Sequence, residues 1–532
     1  MSTLTAPGTT DVPQMSHRQV LEALSGLLLA MFVAMLSSTV VSNALPIIVA
    51  DLEGTESGYT WVVVATLLTL TATTPIWGKL ADLFSKKLLV QLALLIYVIG
   101  SFIAGFAPSM GVLIGARALQ GVGVGGLTAL VQIVIASMVS PRERGRYFGY
   151  LGAVFAVATV SGPLIGGLIV DTSWLGWRWC FFVGVPVAAV AVVVLQKTLH
   201  LPTVRRDVSI DYLGATLIAS GVSVLLIWVS LAGHQFEWVS AITVLMILGG
   251  LLLLALAVLV EARAAEPVIP LHLFRNRTIS LASAASLMVG VAMFGSTVFL
   301  AQYFQLSRGM SPTRAGLMTL PMVLGLLASS IATGRLIARY GRWKVYLVAG
   351  GTLMTLGLLL LSRLDHQTPL VAAGAYMTVL GIGLGAVNQN LVLAVQNSAA
   401  QRDMGVASSL AAFFRTMGGS IGVSALGAVL GHRVAQQVST GLAGLGISPA
   451  KGGGSSIPDL DALPPAVREV VVTAYGDAIG HIFLLAVPFC LIALACIVAI
   501  RETPLRTTLA REDELTAPAP EAPEGAEVAG VR

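Results

Sequence analysis

Residues 140–167 read SPRERGRYFGYLGAVFAVATVSGPLIGG, and residues 399–427 read AAQRDMGVASSLAAFFRTMGGSIGVSALG. At an offset of 260, Arg142 falls on Arg402, Glu143 on Asp403, Gly145 on Gly405, Gly162 on Gly422 and Gly167 on Gly427. Each copy starts with a charged cluster and runs into an apolar helix. The first carries Gly149 near its start and Gly162, Pro163, Gly166 and Gly167 at its far end. Proline and glycine let a long apolar helix kink and approach a neighbour closely, provided protein rather than lipid satisfies the freed backbone groups. The repeat extends beyond these stretches. GKLADLFSKK (78–87) returns as GRLIARYGRWK (334–344), which puts Gly78 on Gly334 and Asp82 on Ala338. QGVGVGG from Gln120 returns as LGIGLGA from Leu380. The chain reads as two related halves of the same orientation, which is an architecture of transporters.

The composition places those halves in a membrane. Hydrophobic residues make up 56% of the 532 and charged residues 11%, and mean hydropathy is +0.87, far from a soluble protein with about a quarter of its residues charged. Apolar runs of about 20 residues recur, each long enough for a hydrocarbon core of roughly 30 Å. The expected fold is an all-α membrane protein with 14 transmembrane helices, two six-helix halves plus two inserted helices. Segment 1–20 precedes the first half (21–197), and 198–277 holds linkers and the inserted pair. The second half is 278–500, with a long outer loop at 432–477, and 501–532 is an Ala/Pro/Glu-rich tail expected to be disordered. Within the outer loop, 450–459 reads as flexible and PPAVREVVVTAYGDA as a short surface helix. The spans of the inserted pair carry no evident buried charge and read as lipid-facing. The polar N-terminal segment has no cleavable-signal pattern, so the first apolar run is read as a retained span.

An even number of spans puts both termini on one side. If that side is the cytoplasm, 22 of the 31 Lys/Arg lie in inside segments and seven in outside ones, which supports the assignment. Three cysteines, Cys180, Cys490 and Cys496, sit in apolar helices without metal or disulfide spacing. No metal cluster, nucleophile triad or paired midplane carboxylates point to an enzyme, and no cofactor or nucleic-acid partner is expected.

Taken together, GKLADLFSKK, LIGARALQGVGVGG, the span-five glycines and LSSTVVSNALP (36–46) resemble the major facilitator superfamily, in particular its 14-helix drug:proton antiporter branch. GWRWCFFVGVP, from Gly176, resembles a further signature. The resemblance covers residues 20–501. It implies a plasma-membrane exporter of small lipophilic compounds, functional as a monomer, that works by alternating access on a proton gradient. Export of an endogenous lipid or secondary metabolite, or a non-transporting sensor, are the competing readings. Three departures stand out. Ser37 replaces an aspartate common in span one, Ala338 replaces the second copy of Asp82, and Ala158 stands where glycine is usual in span five.

The candidate residues fall into four groups. Gly78, Asp82, Lys86 and Lys87, with Gly334, Arg339 and Arg342, are candidates for a gate that latches the halves through charge-assisted bonds. Ala338 is expected to weaken the second copy. Arg117 and Arg415 are intramembrane arginines. Such residues are costly and face a bundle interior or watery cavity, so transport or coupling and structural bracing are both open to them. Ser37, Asn43 and Gln120 join them as coupling candidates. Asn388, Gln389, Asn390 and Gln302 are amides at membrane depth, which line a cavity or bond across helices. Gly149, Gly162, Pro163, Gly166 and Gly167 resemble the antiporter motif, which implies a seal against leak.

Overall fold

The computed structural model describes residues 17–54, 56–172, 175–199, 201, 211–232, 236–264, 266–445 and 464–505. The N-terminal segment up to residue 16, the Gly/Ser-rich stretch 450–459 and the tail beyond 505 lie outside the described residues. Those that are described form helices and short turns, with one isolated bridge between Ala232 and Phe236 and no strand.

The first half comprises α1 (His17–Asp51), α2 (Glu56–Leu83), α3 (Lys86–Gly105), α4 (Met110–Met138) and α5 (Pro141–Asp171), then α6 (Trp179–Phe182) and α7 (Gly184–Thr198), which together make one span. The inserted pair is α8 (Tyr212–Leu231) and α9 (Ala241–Glu261). The second half comprises α10 (Arg277–Gln302), α11 (Pro312–Met318), α12 (Leu320–Tyr340), α13 (Lys344–Leu361), α14 (Leu370–Ser398), α15 (Met404–Gly444) and α16 (Pro465–Ala499). Fourteen spans long and apolar enough to cross a membrane result.

The repeat is reproduced as packing. α4 lies against α2 and α3, while α1 lies against α5 and α7. In the second half α14 lies against α12 and α13, while α10 lies against α15 and α16. The halves meet along two seams, α2 with α15 and α5 with α12. Because all loops between odd and even spans alternate sides, the α2–α3, α4–α5, α12–α13 and α14–α15 turns share one face with both described chain ends. These loops carry the arginines and lysines counted above, and this is termed the basic face.

Three local outcomes differ from the sequence expectation. The outer loop is much shorter, because α15 runs for 41 residues to Gly444 and α16 starts at Pro465. PPAVREVVVTAYGDA is therefore the first part of α16, where Val471 and Ala474 are buried, and its Gly476 fits closely beside the backbone of Asp365 and His366. The tenth span is broken at Thr319, with Pro321 in the first turn of α12, where its missing N–H is harmless. The inserted pair is also not wholly lipid-facing. α9 does expose Leu245, Leu248, Leu252 and Leu256, as expected for an apolar surface facing lipid. α8, however, lays Ile218, Val222 and Leu226 against Ile76 of α2 and Phe413 of α15, covering the α2–α15 seam. Glu261, at the end of α9, is a buried charge.

Asn276 fixes where the second half begins. Its Oδ1 accepts from Thr278 N and Ile279 N, satisfying two orphan donors of α10, while Nδ2 donates to Ser398 O at the end of α14. Replacing Asn276 with Ala is expected to destabilise the protein by about 0.5–2 kcal/mol, the range for a lost helix cap. Asn276→Asp, which keeps the cap and loses only the bond to Ser398, should fall less. Thermal unfolding of the purified protein in detergent ranks the two.

Candidate functional site: latches at the basic face and an arginine–amide interior

Asp82 lies in the last turn of α2, a position unfavourable to a negative charge because that end of the helix is itself partly negative. The structure shows its compensation. Asp82 Oδ1 accepts from Gly405 N at 2.7 Å and Oδ2 from Val406 N at 3.0 Å. These are the second and third residues of α15, whose N–H groups have no partner within their own helix. Backbone contact at the crossing is close, since a Cβ at Gly405 would strike Gly78 O and one at Gly78 would strike Ser409.

The second seam has the same geometry with the charges reversed. Gly145 of α5 crosses Gly334 of α12 backbone to backbone. Ala338 carries no charge, and its carbonyl instead accepts from Arg142 Nε at 3.1 Å, while Arg339 O accepts from Arg142 Nη2 at 3.3 Å. Arg142 sits in the first turn of α5, again the unfavourable end of its own helix, and bonds the last-turn carbonyls of α12. The expected weakening at Ala338 is thus offset by a residue from the other half.

A third tie is not legible as such in the sequence. Arg144 is buried, and it donates from Nε to Val139 O, from Nη2 to Ala136 O and from Nη1 to Gln396 Oε1 of α14 at 3.2 Å. Gln396 Nε2 continues to Ser408 Oγ of α15 at 3.0 Å. In sequence Arg144 is one of three arginines in a loop, and only burial distinguishes it from its neighbours. The remaining gate candidates separate. Lys86 lies within electrostatic range of Asp82. Lys87 donates to Gln196 O of α7 and so ties α3 within its own half. Arg339 contributes its carbonyl, and its guanidinium stacks on Tyr340. Arg342 makes no contact of this kind among the described residues. Lys79 is ion-paired with Glu266 of the linker at 2.5 Å.

Deeper in the first half, Arg117 is buried, with Nη1 donating to Gln120 Oε1 at 2.9 Å. Gln120 Nε2 donates to Ser101 Oγ at 2.8 Å. Ser37 and Ser101 both lie beside Tyr97, so Ser37 joins this network by a hydroxyl where the family pattern has a carboxylate. The side chain of Asn43 lies outside those described. In the second half, Arg415 Nη1 donates to Asn388 Oδ1 at 2.8 Å, and Asn388 faces Met293 Sδ of α10. The other amides do not gather there. Asn390 bonds Ala386 O of its own helix and Thr333 of α12 as a packing residue. Gln302 is nine residues beyond Met293, about 13 Å along α10. Gln389 Oε1 is buried with no hydrogen-bond partner among the described residues.

The span-five motif divides in two. Gly149 packs against Ile331 of α12 and serves the seam between halves, whereas Gly162 packs against Thr39 of α1 within its own half. Thr39 Oγ1 bonds Ala158 O on the same helix face. Gly166 is buried, Gly167 meets only Thr313 of α11, and the side chain of Pro163 is not among those described.

Paired seams between two repeated six-helix halves define a membrane transporter of the alternating-access kind. Residues 27–423 match the Major Facilitator Superfamily, to which the chain belongs. It is 37% identical over 487 residues to an uncharacterized MFS-type transporter of Mycobacterium tuberculosis (strain ATCC 25618 / H37Rv), covering 90% of this chain and 69% of that protein. It is 34% identical over 453 residues to the multidrug transporter protein MdtP of Bacillus subtilis (strain 168), covering 85% and 80%. The proton:xylose symporter XylE has the same fold, with a TM-score of 0.59, 14% identity and coverage of 89% of this chain and 96% of that one.

Removing the charge of Asp82 should weaken closure of the basic face. Two charge-assisted bonds are lost, each worth roughly 1.5–3 kcal/mol. A cysteine placed at Ser409, under the crossing, should react at least several-fold faster with a membrane-impermeant thiol reagent in Asp82→Asn than in the parent. Equal rates would show that these bonds do not hold the face shut.

Proposed function

We propose that the protein is a plasma-membrane efflux transporter of lipophilic or amphiphilic small molecules, with both termini in the cytoplasm and inward proton movement as the energy source. The observation that carries the reading is the pair of charge-reversed latches at the basic face. With the Arg144–Gln396 tie they join two halves that are each packed within themselves, so exchanging these bonds lets the halves rock. Relatives named as a multidrug transporter and as efflux pumps, similar over most of their length, support the direction and the substrate class.

The interior suits such cargo. Arg415 and Asn388 offer a polar pair, and Met293 beside it adds a flexible, polarizable wall. Among the described residues the guanidinium is held by one amide, which leaves donors for a polar head, while apolar side chains take the rest of an amphiphile. Arg117 is enclosed among Gln120, Ser101 and Val62 O, which suits bracing or coupling better than contact with cargo. Alternating access then follows from exchange of the Asp82 and Arg142 bonds for open helix ends.

The test uses the purified protein in liposomes with an imposed pH gradient and a panel of lipophilic compounds. Gradient-driven movement is expected, falling about tenfold or more in Arg415→Ala, the equivalent of one charged hydrogen bond. Movement indifferent to the gradient overturns proton exchange, and absence of movement for any compound overturns transport of this class.

A further inference from the structure

The foot of the inserted pair holds charge that neither the latches nor the interior uses. Asp211 caps α8, its Oδ1 accepting from Gly214 N at 2.8 Å. Glu261, at the end of α9, is 5% exposed, and its Oε2 accepts from Ile269 N at 3.1 Å. The other oxygen of each group, Asp211 Oδ2 and Glu261 Oε1, is buried with no hydrogen-bond partner among the described residues. Both orphaned oxygens lie over the same spot, since a Cβ added at Gly214 would collide with the two of them. Among the described residues, the elements packed around this spot supply few countercharges. α2 brings Lys79, which is engaged by Glu266 of the linker. α15 meets α8 through the apolar Phe413, Phe414 and Met417.

Two carboxylates whose buried oxygens share one spot repel, and each leaves an acceptor unsatisfied. One proton removes both penalties, because one oxygen becomes a donor and the other its acceptor. We propose that Asp211 and Glu261 form a proton-binding site, holding one proton between Asp211 Oδ2 and Glu261 Oε1 at neutral pH, where the inserted helices meet α2. The neighbour on α2, Lys79, adjoins Gly78 of the α2–α15 crossing. Release of the proton adds negative charge next to that crossing and loosens α8 where it covers the seam. The site therefore makes the hold on the α2–α15 seam sensitive to pH at the basic face. It does not depend on which compound is exported or on the energy source proposed above.

The sign of the effect follows from linkage. A site that holds its proton more tightly folded than unfolded stabilises the fold at low pH and loses that contribution as pH rises through release. Thermal unfolding of the full chain in lipid nanodiscs should therefore show a fall in stability on the alkaline side. Glu261→Gln sets a donor amide opposite Asp211, imitating the protonated pair, and should abolish that fall. Asp211→Asn, which keeps a capping side chain, should abolish it too. Glu266→Gln, which removes only the ion pair with Lys79, should keep it. Infrared difference spectra should show the carbonyl stretch of a protonated carboxylic acid in the wild type at neutral pH, and this band should be lost in Glu261→Gln and Asp211→Asn. A wild type without the band, a band that survives both substitutions, or an alkaline fall unchanged in both variants would each overturn the proposal.

Discussion

The two latches at the basic face depend on one electrostatic constraint, a charge placed at the wrong end of its own helix. Asp82 at the C-terminal end of α2 and Arg142 at the N-terminal end of α5 are each disfavoured by the helix that carries them. Each takes its hydrogen bonds, among the described residues, from the facing helix of the other half, through N–H groups of α15 or carbonyls of α12. A closed face therefore relieves a local strain, and an open face restores it unless water takes the place of the partner. Water can take the partner's place, so the net cost is only roughly 1.5–3 kcal/mol for each of these charge-assisted bonds. That balance suits a switch. Bonds this strong hold a state, and bonds this replaceable let it go.

Steric complementarity makes the electrostatics possible. At both seams a glycine meets a glycine, Gly78 with Gly405 and Gly145 with Gly334, and no side chain fits between them. Contact of bare backbone brings the helix ends within reach of a short aspartate on one side and of an arginine on the other. The pseudo-twofold relation is kept in shape and broken in charge. Ala338 removes the second aspartate, and Arg142 supplies the opposite charge to the opposite helix pole. The two seams thus do not share one chemistry. A condition that weakens a carboxylate bond, such as protonation of Asp82, leaves the guanidinium bonds intact.

Much of this is legible in the chain, for a physical reason. Membrane spans announce themselves through long apolar runs, and repeats survive as glycine spacing because backbone contact tolerates nothing larger. Gly78, Gly145, Gly334 and Gly405 accordingly stand out in the amino-acid sequence alone. What sequence does not resolve is partnership. Arg144 looks like Arg142 and Arg146, yet it alone is buried and reaches Gln396. Asn388, Gln389 and Asn390 look like one cavity lining, yet helical rotation sends Asn388 to Arg415 and Asn390 to Thr333. The outer loop is misleading for a different reason. Its charged and glycine-containing segments, RVAQQVSTGLAG and PPAVREVVVTAYGDA, read as non-spanning, but they prolong α15 and α16 beyond the apolar stretch.

The inserted pair also changes meaning once placed. A hairpin added to two six-helix halves could be a passive lipid-facing ornament, and α9 has the exposed leucines of one. α8 is different because it covers the seam where α2 and α15 must separate for the basic face to open. Any opening that widens that seam must slide α8 or carry it along with one half. Its apolar contact with Ile76 and Phe413 permits sliding, because apolar surfaces gain little from one register over another. At its foot the contacts are polar instead, since Asp211 caps α8, Glu261 of α9 accepts from Ile269 N of the linker, and Lys79 ties α2 to that same linker.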